Sequence, residues 1–398
     1  MCVHELIKAI LYYLHSINYS NIKLSCTYTK INIFINLPKL FFIPVKVKQN
    51  RITIQDIARK SSVSIGTVDR VIHKRSGVSE NTRKLVLEII SQLDYQPDIL
   101  ARTLATRKSI KIAALYPGLN SGKIFWSVPE TGMAKAIEEL NHFGVQLLKF
   151  PFDQAEPGSF LGQAKRILKT KPDGLIVAPG FSRDAKWLST RCTALKIPFV
   201  YINSIVKSEP YLSFIGQDSY ASGKVAASLM NDCLGKNDSI AVINIEQDPL
   251  NQVHIKEREK GFFSFFANDA SRSRKKILSF TIAKSTKSSI NSELQKLFDA
   301  NIIHGVFITN SRAYRIAKWL NANKKYQPVL IGYDLISENR NLLNKKIIRF
   351  LISQKPEEQG YRSVMALFNH LVMKRPVPKN QLLPIDIITA ENIPYYNM

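Results

Sequence analysis

Arg70 and the residues around it are the side chains whose types and spacing best suit contact with nucleic acid. In the segment Ile65–Ile72, Val68, Val71 and Ile72 fall on one helical face. The opposite face mixes small, basic and hydrogen-bonding groups. It carries Ile65, Gly66, Asp69, Arg70 and His73. An arginine on such a face can donate paired hydrogen bonds to guanine O6 and N7, so this segment is a candidate base-contacting helix.

Two short helices and a tight turn must position this face. Thr53 is expected to cap a first helix, and Ser64 caps the second helix after the polar break Ser61–Val63. A third helix follows from Ser79, and its expected apolar stripe is Val86, Leu87, Ile90 and Leu93. This is the geometry of a helix-turn-helix, whose second helix enters the major groove. The alternative is a three-helix packing module with a solvated basic face.

The charge balance favours a polyanionic partner. The 398 residues include 56 Lys and Arg against 31 Asp and Glu, which gives a formal net charge of +25. Charge alone does not separate nucleic acid from an anionic membrane, but the helix-turn-helix spacing favours double-stranded DNA. The hydroxyls of Thr53, Thr67 and Thr82 are candidate phosphate contacts.

From Ile110 onward, short Val- and Ile-rich runs alternate with amphipathic helices. This alternation predicts doubly wound parallel sheets, and its length predicts two α/β subdomains with ligand chemistry at the carboxyl ends of the strands. Polar residues expected at or just after strand ends are Asn203, Asp218, Asn310 and Asp334. The predicted strands are Ile112–Tyr116, Val145–Phe150, Gly174–Ala178, Pro198–Ile202, Phe214–Ile215, Ile240–Ile245, Ile277–Ile282, Gly305–Thr309, Val329–Gly332, Ile347–Ile352 and Ile385–Thr389.

These patterns predict a multidomain protein. A small all-α helix-turn-helix headpiece occupies residues 51–97, a hinge helix or linker residues 98–109, and an α/β core of two doubly wound parallel-sheet subdomains residues 110–398. Residues 1–50 contain no Arg and a single acid, Glu5, and show no sustained period. The favoured interpretation of residues 1–50 is an atypical extension, disordered or not native; the alternative is a membrane-contacting arm.

The headpiece sequence resembles that of a known family. ITIQDIARKSSVSIGTVDRVIH at 52–73, VSENTR at 78–83 and YQPDILARTL at 95–104 are similar to the headpiece and hinge of the lactose-repressor (LacI/GalR) family. The resemblance implies DNA contacts by Thr53, Ile65, Gly66, Thr67, Arg70 and His73, with Leu104 wedged into the minor groove. Ser62 and Asp69 depart from the family pattern, which usually has Gly and Ser there.

The resemblance also implies a core like that of periplasmic sugar-binding proteins, with an effector pocket between its subdomains. Polar groups and an aromatic face are the usual chemistry of a saccharide cleft. The implied pocket residues are Phe125, Trp126, Asn203, Arg258, Asn310, Asp334 and Gln354. Taken singly, each Asp or Asn is better explained as a turn or a helix cap, and their joint placement at strand ends favours a pocket role for Asp334 and Arg258.

The sequence contains none of the common enzymatic motifs. The chain has no GxGxxG, Walker, GxSxG or HExxH pattern, and its four cysteines form no CxxC pair. His254 lies one helical turn from Arg258, which is typical of a solvated face. We therefore expect no catalytic residues, no metal and no cofactor, and a protein that is cytoplasmic without a membrane span.

The expected function is sequence-specific regulation of transcription, most often repression in this family. A homodimer would bind a pseudo-palindromic operator in double-stranded DNA and respond to a small-molecule effector. A sugar or sugar phosphate leads as effector, and a nucleobase or other polar metabolite follows. The main alternative is a small-molecule sensor of the same fold without functional DNA binding, and a sugar-processing enzyme is third. The sequence does not decide operator sequence, effector identity, or whether the effector releases or promotes DNA binding.

Overall fold

The computed structural model of the chain describes residues 22–27, 30–35, 52–72, 75–93, 95, 109–118, 125–206, 210–245, 253–267, 275–282 and 287–396. The chain divides into two units, residues 1–97 and 98–398. In the first unit, β1 (Ile22–Thr27) pairs antiparallel with β2 (Lys30–Ile35), both within the predicted extension. His73, Leu104 and the predicted hinge up to residue 108 lie outside the described residues.

The headpiece contains three helices, α1 (Ile54–Ser61), α2 (Ile65–Ile72) and α3 (Glu80–Gln92). Their three predicted caps are confirmed, because the hydroxyls of Thr53, Ser64 and Ser79 accept hydrogen bonds from first-turn amides. Thr53 and Asp56 form a reciprocal capping box, in which the Thr53 amide donates to the Asp56 carboxylate at 2.9 Å. Local side chains therefore fix where each helix begins.

The three helices enclose one small core. It consists of Ile57, Ala58, Val68, Val71, Val86 and Ile89. The prediction of Leu87 as a core residue was wrong, since 49% of it is exposed. Ile89, three positions after Val86, takes the inward place, and Leu87 is turned about 100° away from Val86 around the helix.

The second unit contains two α/β halves. The first half comprises β3 (Ile110–Pro117), α4 (Ser127–Glu139), β4 (Val145–Phe152), α5 (Ser159–Lys169), β5 (Gly174–Val177), α6 (Ser182–Ala194), β6 (Phe199–Ile202) and β7 (Ser213–Gly216), with a 3₁₀ turn at Asn141–Phe143. The second half begins with α7 (Ser219–Cys233) and continues through β8 (Ser239–Ile245), α8 (Val253–Ala267), β9 (Lys276–Ile282), α9 (Lys287–Ala300), β10 (Gly305–Ile308), α10 (Ala313–Ala322), β11 (Val329–Tyr333), α11 (Ser337–Asn344) and β12 (Phe350–Ser353). The chain ends with α12 (Pro356–Leu371), β13 (Asn380–Leu382), β14 (Asp386–Ile388) and a 3₁₀ turn at Ile393–Tyr395.

The two sheets share one strand order. The first sheet runs β4-β3-β5-β6-β7-β13 and is parallel throughout; the second runs β9-β8-β10-β11-β12-β14. Each half therefore orders its first five strands 2-1-3-4-5, one of the two common doubly wound orders. Only β14, among the described strands of these two sheets, runs antiparallel to its neighbour. The predicted doubly wound fold is confirmed.

Both faces of each sheet are buried, which explains the near-continuous apolar strands. Along β3, Ile112 and Ala114 enter one hydrophobic cluster while Ala113 and Leu115 enter another. The strand predicted from Ile347 begins three residues later, because the amides of Ile347 and Ile348 close the end of α11 on the Leu342 carbonyl. The three-residue strand β13 was not predicted.

The chain passes between the halves three times. Helix α7 follows β7 but packs on the second sheet, and α12 follows β12 but packs on the first. The third passage joins β13 in the first sheet to β14 in the second. We call residues 217–218, 354–355 and 383–385 the three crossovers.

Paired glycines bring a helix of each half against a crossover helix. A Cβ added at Gly261 of α8 would overlap the Tyr220 carbonyl of α7, and one at Gly223 of α7 would overlap the Arg258 carbonyl. Gly132 of α4 and Gly360 of α12 form the equivalent contact in the first half. At both crossings the two backbones are in direct contact, so only the hydrogen side chain of glycine fits between them.

Replacing Gly261 with Ala is expected to destabilise the core by about 3 kcal/mol, the upper end of the usual range for overpacking, because the overlapping atom is backbone. Gly162→Ala is the matched control. No described atom lies within 4 Å of a Cβ added there, on an exposed turn of α5. This control should stabilise by roughly 0.5–1 kcal/mol. Urea unfolding of both variants checks the pair, and equal stability of Gly261→Ala and wild type would contradict the close packing.

Candidate functional site

The outward face of α2 is the candidate DNA-contacting surface of the headpiece. Ile65 is 50% exposed although it is a large apolar residue, and Gly66 and Arg70 are exposed beside it. Val68 and Val71 anchor the opposite face in the headpiece core. The helix therefore presents the apolar side chain of Ile65, the exposed backbone of Gly66 and the guanidinium of Arg70 on one face. This combination suits contact with base edges.

The turn before α2 retains helix-turn-helix geometry in spite of its serine. Ser62 adopts a left-handed conformation, with φ 54° and ψ 35°, and its amide donates to carbonyls at the end of α1. Glycine reaches this conformation without strain, which accounts for the glycine usual at this position. The departure at Ser62 changes the conformational cost of the turn and leaves its shape intact.

The departure at Asp69 is compensated within the headpiece. The Arg75 guanidinium donates to the Asp69 carboxylate at 3.0 Å, and Arg83 donates to the Arg75 carbonyl at 2.9 Å. This pairing balances the charge of an acid that would otherwise repel phosphates. Asp69 is half-buried next to the exposed Arg70.

The three candidate phosphate-binding threonines all lie at helix starts. Their hydroxyls contact Asp56, Ser64 and Ser79 at 2.7–2.9 Å, from Thr53, Thr67 and Thr82 respectively. A hydroxyl has one donor and two acceptor positions, so these cap contacts use only part of its capacity.

In the second half of the core, a buried polar cluster joins the carboxyl ends of neighbouring strands. Arg258 of α8 is 1% exposed; its guanidinium donates to the Thr309 carbonyl at 2.7 Å and to the Gln354 side chain. Gln354 in turn donates to both oxygens of Asp334, at 2.8 and 3.0 Å. The guanidinium also lies 3.8 Å from the centre of the Tyr333 ring. Three of the predicted pocket residues are thus one connected group, with Gln354 as the bridge.

Asp334 is a buried carboxyl on a left-handed backbone. Its φ is 70°, its amide donates to the Ile352 carbonyl at 3.0 Å, and it is 3% exposed. Burial raises the pKa of Asp334 to about 6, although Arg258 and the hydrogen bond from Gln354 act in the opposite direction.

The other predicted pocket residues occupy different surroundings. Asn310 follows β10, donates to the Ile245 carbonyl at 2.8 Å and accepts from the Arg312 amide at 3.1 Å, so it ties the ends of β8 and β10 together. Phe125 and Trp126 meet edge to face, with ring centres 5.2 Å apart. Trp126 belongs to the hydrophobic core of the first half. The role of these three residues in ligand binding stays a prediction.

A cavity of about 660 Å³ lies beside the first crossover, and we call it the hinge cavity. Its described lining residues are Asn203, Ser204, Ile205, Tyr211, Phe214, Gln217, Asp218, Ser219, Tyr220, Val253, His254, Glu257, Asn380 and Leu382. Of the predicted pocket residues, Asn203 lines it. Asn203 has φ 65°, and its Oδ1 is buried without a hydrogen-bond partner among the described residues.

The expectation that His254 lies on a solvated face was wrong. It lines the hinge cavity, and its Nδ1 is buried with no partner in the described part of the chain. Burial, and secondly the charge of Arg258, lower the pKa of His254 to about 3. His254 is therefore neutral at physiological pH.

Comparisons with known proteins agree with this architecture. Residues 53–98 match the model of the lacI family of bacterial regulatory proteins, and residues 113–375 match a periplasmic binding protein domain. The chain belongs to the LacI family, with a periplasmic-binding-protein-like core. It is 42% identical over 89 residues to catabolite control protein A of Streptococcus mutans; the match spans 22% of this chain and only 25% of that protein.

Two solved structures extend the comparison to the core. A putative LacI transcriptional regulator from Bacteroides fragilis is 27% identical, with a TM-score of 0.67 over 73% of this chain and 100% of its own. A glucose-galactose binding protein from Geobacillus stearothermophilus is 20% identical, with a TM-score of 0.64 over 72% of this chain and 99% of its own, and it shares the fold. The matched family is one of regulators and not of enzymes.

Within the described residues, no helix combines the length and apolar character needed to cross a bilayer. Gln217, which lines the hinge cavity, and Thr309, whose carbonyl accepts from Arg258, were not predicted. Both follow or end a buried strand, as Asn203 and Asp334 do, and that shared position was the available signal.

The raised pKa of Asp334 predicts a specific pH dependence of stability. Between about pH 4 and pH 6, the folded chain holds a proton on Asp334 that the unfolded chain has lost, so the free energy of unfolding falls as pH rises. Asp334→Asn removes this titration, and Asn tolerates the left-handed backbone. The unfolding free energy of wild type minus that of Asp334→Asn should decrease across this range and level off above it. Urea unfolding at several pH values measures it, and a difference that rises with pH would contradict the assignment.

Proposed function

We propose that this chain is a sequence-specific, DNA-binding transcriptional regulator, acting as a repressor, whose operator affinity is controlled by a small carbohydrate bound between the halves of its core. Its place of action is then the cytoplasm. The exposed face of α2, which presents Ile65, Gly66 and Arg70 from a three-helix headpiece with its own core, supports this proposal most directly.

The chemistry of that face supports reading of the major groove. Arg70 is exposed, and its long side chain can donate to guanine. Ile65 can contact a thymine methyl group. Thr53, Thr67 and Thr82 would hold phosphates and fix the register. A net charge of +25 predicts an affinity that falls steeply with salt.

A homodimer on a pseudo-palindromic operator is the arrangement we propose. One recognition helix covers only a few base pairs, and two-fold symmetry doubles the contacts and fixes the half-site spacing. Leu104, by resemblance to the family, would insert into the minor groove between the half-sites.

The polar side chains of the core support the proposal that it binds a small-molecule effector. Its second sheet ends in a cluster of polar side chains, Arg258, Asp334 and Gln354, at the edge where doubly wound sheets bind ligands. The structural relative from Geobacillus stearothermophilus is a glucose-galactose binding protein, which supports a carbohydrate. A ligand that favours one angle between the halves would shift the population of that state.

Arg70→Ala tests the DNA-binding proposal. Duplexes bound by the wild-type chain are first selected from a random pool and sequenced, and the enriched site then serves as the probe. Loss of a paired guanine contact should weaken binding by about 1–3 kcal/mol, or roughly 5- to 150-fold, and relax the preference at one position in each half-site.

Arg166→Ala is the matched control, because Arg166 is also an exposed arginine but lies on α5 of the core. Its loss should leave affinity for the selected site within about twofold, the scale of a surface change. Equal effects of both variants would mean that Arg70 contributes charge alone. Folded wild-type protein that enriches no motif would favour a small-molecule sensor without DNA binding.

A further inference from the structure

Helices α5 and α6 lie next to each other in the first half and bury their inward sides in one hydrophobic cluster. Ile167 of α5 and Leu188 of α6 both belong to that cluster. A helix that is buried along one side leaves the opposite side for solvent or for a partner. Together, the outward sides of α5 and α6 form one surface of the first half.

The outward side of α5 is basic. Lys165, Arg166 and Lys169 are exposed on this helix, and Lys171 is exposed two residues after its end. The Arg166 guanidinium donates to the Gln163 side chain at 3.3 Å. Four exposed cations therefore follow one another closely along α5 and the turn after it.

The outward side of α6 combines cations with apolar side chains. Arg183, Trp187, Arg191 and Leu195 recur every fourth residue, so they form one row along α6 and the residue that follows it. Leu195 is 57% exposed, and the Arg191 guanidinium lies 5.8 Å from the centre of the half-buried Trp187 ring. Along this row, cations alternate with apolar side chains.

We call the outward side of residues 165–171 and 183–196 the basic surface. Lys186 and Lys196 bring its exposed cations to eight. Residues 159–196 contain these eight Lys and Arg but only two acids, which gives a net charge of +6. The sequence of the two helices and their connection therefore leaves most of this positive charge unbalanced.

The local acids do not neutralise these cations. Asp173 and Asp184 are both half-buried, and the Asp173 carboxylate accepts from the Lys111 amide at 2.9 Å. Within the part of the chain that the structure describes, none of the eight cations forms an ion pair with a carboxylate. The charge of the basic surface is thus available to a partner.

The corresponding helices of the second half place acids beside cations. Helix α9 links β9 to β10 as α5 links β4 to β5, and α10 corresponds to α6 in the same way. There Lys296 pairs with Glu293 at 3.7 Å, and Lys325 pairs with Asp299 at 3.6 Å. The two halves share their strand order and differ in how the cations of these helices are paired.

The apolar side chains of the row indicate which class of anionic partner fits. Phosphate contacts hold a protein on nucleic acid through cations and hydrogen bonds, and they provide no apolar group to cover Leu195. One exposed leucine is also too little for a helix that lies in a membrane surface. Protein interfaces, in contrast, combine Trp and Arg near the centre with a polar rim. The basic surface has this composition.

We propose that the basic surface binds an acidic segment of another protein. The carboxylates of that segment would pair with the cations of α5 and α6, and one of its apolar side chains would contact Trp187 and Leu195. The four-residue spacing of the row suits an amphipathic helix whose apolar residues are flanked by acids. This proposal is independent of DNA binding by the headpiece and of effector binding in the core.

A triple variant removes the features on which the proposal depends. Arg183→Glu and Lys186→Glu reverse two charges near the start of α6, where the helix dipole favours acids, so the helix should form normally. Leu195→Ser removes the exposed apolar side chain at the other end of the row. We call this combination the α6 variant.

A control variant makes the same three changes in the second half. Lys318→Glu and Lys324→Glu reverse two exposed cations on α10 and just after it, and Ile302→Ser replaces an apolar residue that is 80% exposed. The control variant and the α6 variant therefore have equal net charge, and only the place of the changes differs.

The test begins by selecting peptides that bind the full-length wild-type chain from a displayed random library. We expect enriched peptides with net negative charge and a large apolar side chain. Their affinity should fall about tenfold or more in the α6 variant, because like charges then face each other across the interface. In the control variant it should stay within about twofold of wild type. Added salt should weaken binding to wild type.

Three results would overturn the proposal: no enriched peptide, enriched peptides without net negative charge, or equal weakening in the two variants. Non-specific duplex DNA is titrated in parallel. A larger loss of DNA affinity in the α6 variant than in the control variant would assign the basic surface to nucleic acid, and the protein partner would be rejected.

Leu195→Ser alone keeps the test decisive if the α6 variant has a lower Tm than wild type. An exposed leucine contributes little to stability, so this single variant should keep the wild-type Tm. It should weaken the selected peptides about threefold or more, because an apolar contact is lost. Unchanged peptide affinity would contradict that contact. Affinity for the DNA site selected by the wild-type chain is measured separately and reports on the DNA-binding proposal alone.

Discussion

The core is organised around one buried charge, the guanidinium of Arg258. Removing an ion from water costs several kcal/mol unless other groups replace its hydration. Here the replacements come from three strand ends: the Thr309 carbonyl after β10, Asp334 through Gln354 after β11 and β12, and the face of Tyr333. Because these groups lie on successive strands, their contacts with one guanidinium connect the carboxyl ends of β10, β11 and β12, while its Nε is buried without a partner among the described residues.

The position of Arg258 depends on the contact between α7 and α8. Gly223 and Gly261 let the two backbones touch, and the Tyr333 hydroxyl contacts Ser222, next to Gly223, at 2.6 Å. Helix α7 arrives from the first half, so the second half is completed only when the chain has crossed. The first half uses α12 in the same way. The halves therefore share a plan, in which each is completed by a helix that has crossed from the other.

Local features of the fold were predictable from the sequence. The caps at Thr53, Ser64 and Ser79 act within a few residues, and the buried strands carry long apolar runs, so both leave a direct signal. Asn203 and Asp334 were predicted at strand ends, and each directly follows a buried strand. Strand β13 has only three residues and no apolar alternation, since it adds to a sheet edge formed elsewhere in the chain. Nothing in its own sequence marks it.

The features that escaped prediction depend on contacts between distant segments. His254 is polar and lies at helical spacing from Arg258, and only the approach of the first crossover makes it part of a cavity. Gln217 contacts carbonyls more than 130 residues away, at Ser353 and Pro384. Leu87 was wrongly predicted to be buried because it follows the apolar Val86. One apolar neighbour is enough to shift the helix face that a sequence pattern predicts to be buried.

In the proposed regulator, a ligand in the core and DNA on the headpiece are thermodynamically coupled. The most direct measurement is the affinity of the full chain for its selected DNA site with and without a sugar that raises its Tm, together with the affinity for that sugar with and without DNA. We expect each affinity to change by about 5- to 150-fold, and by the same factor in both directions, as linkage requires. A sugar that binds the core yet leaves DNA affinity unchanged would contradict it.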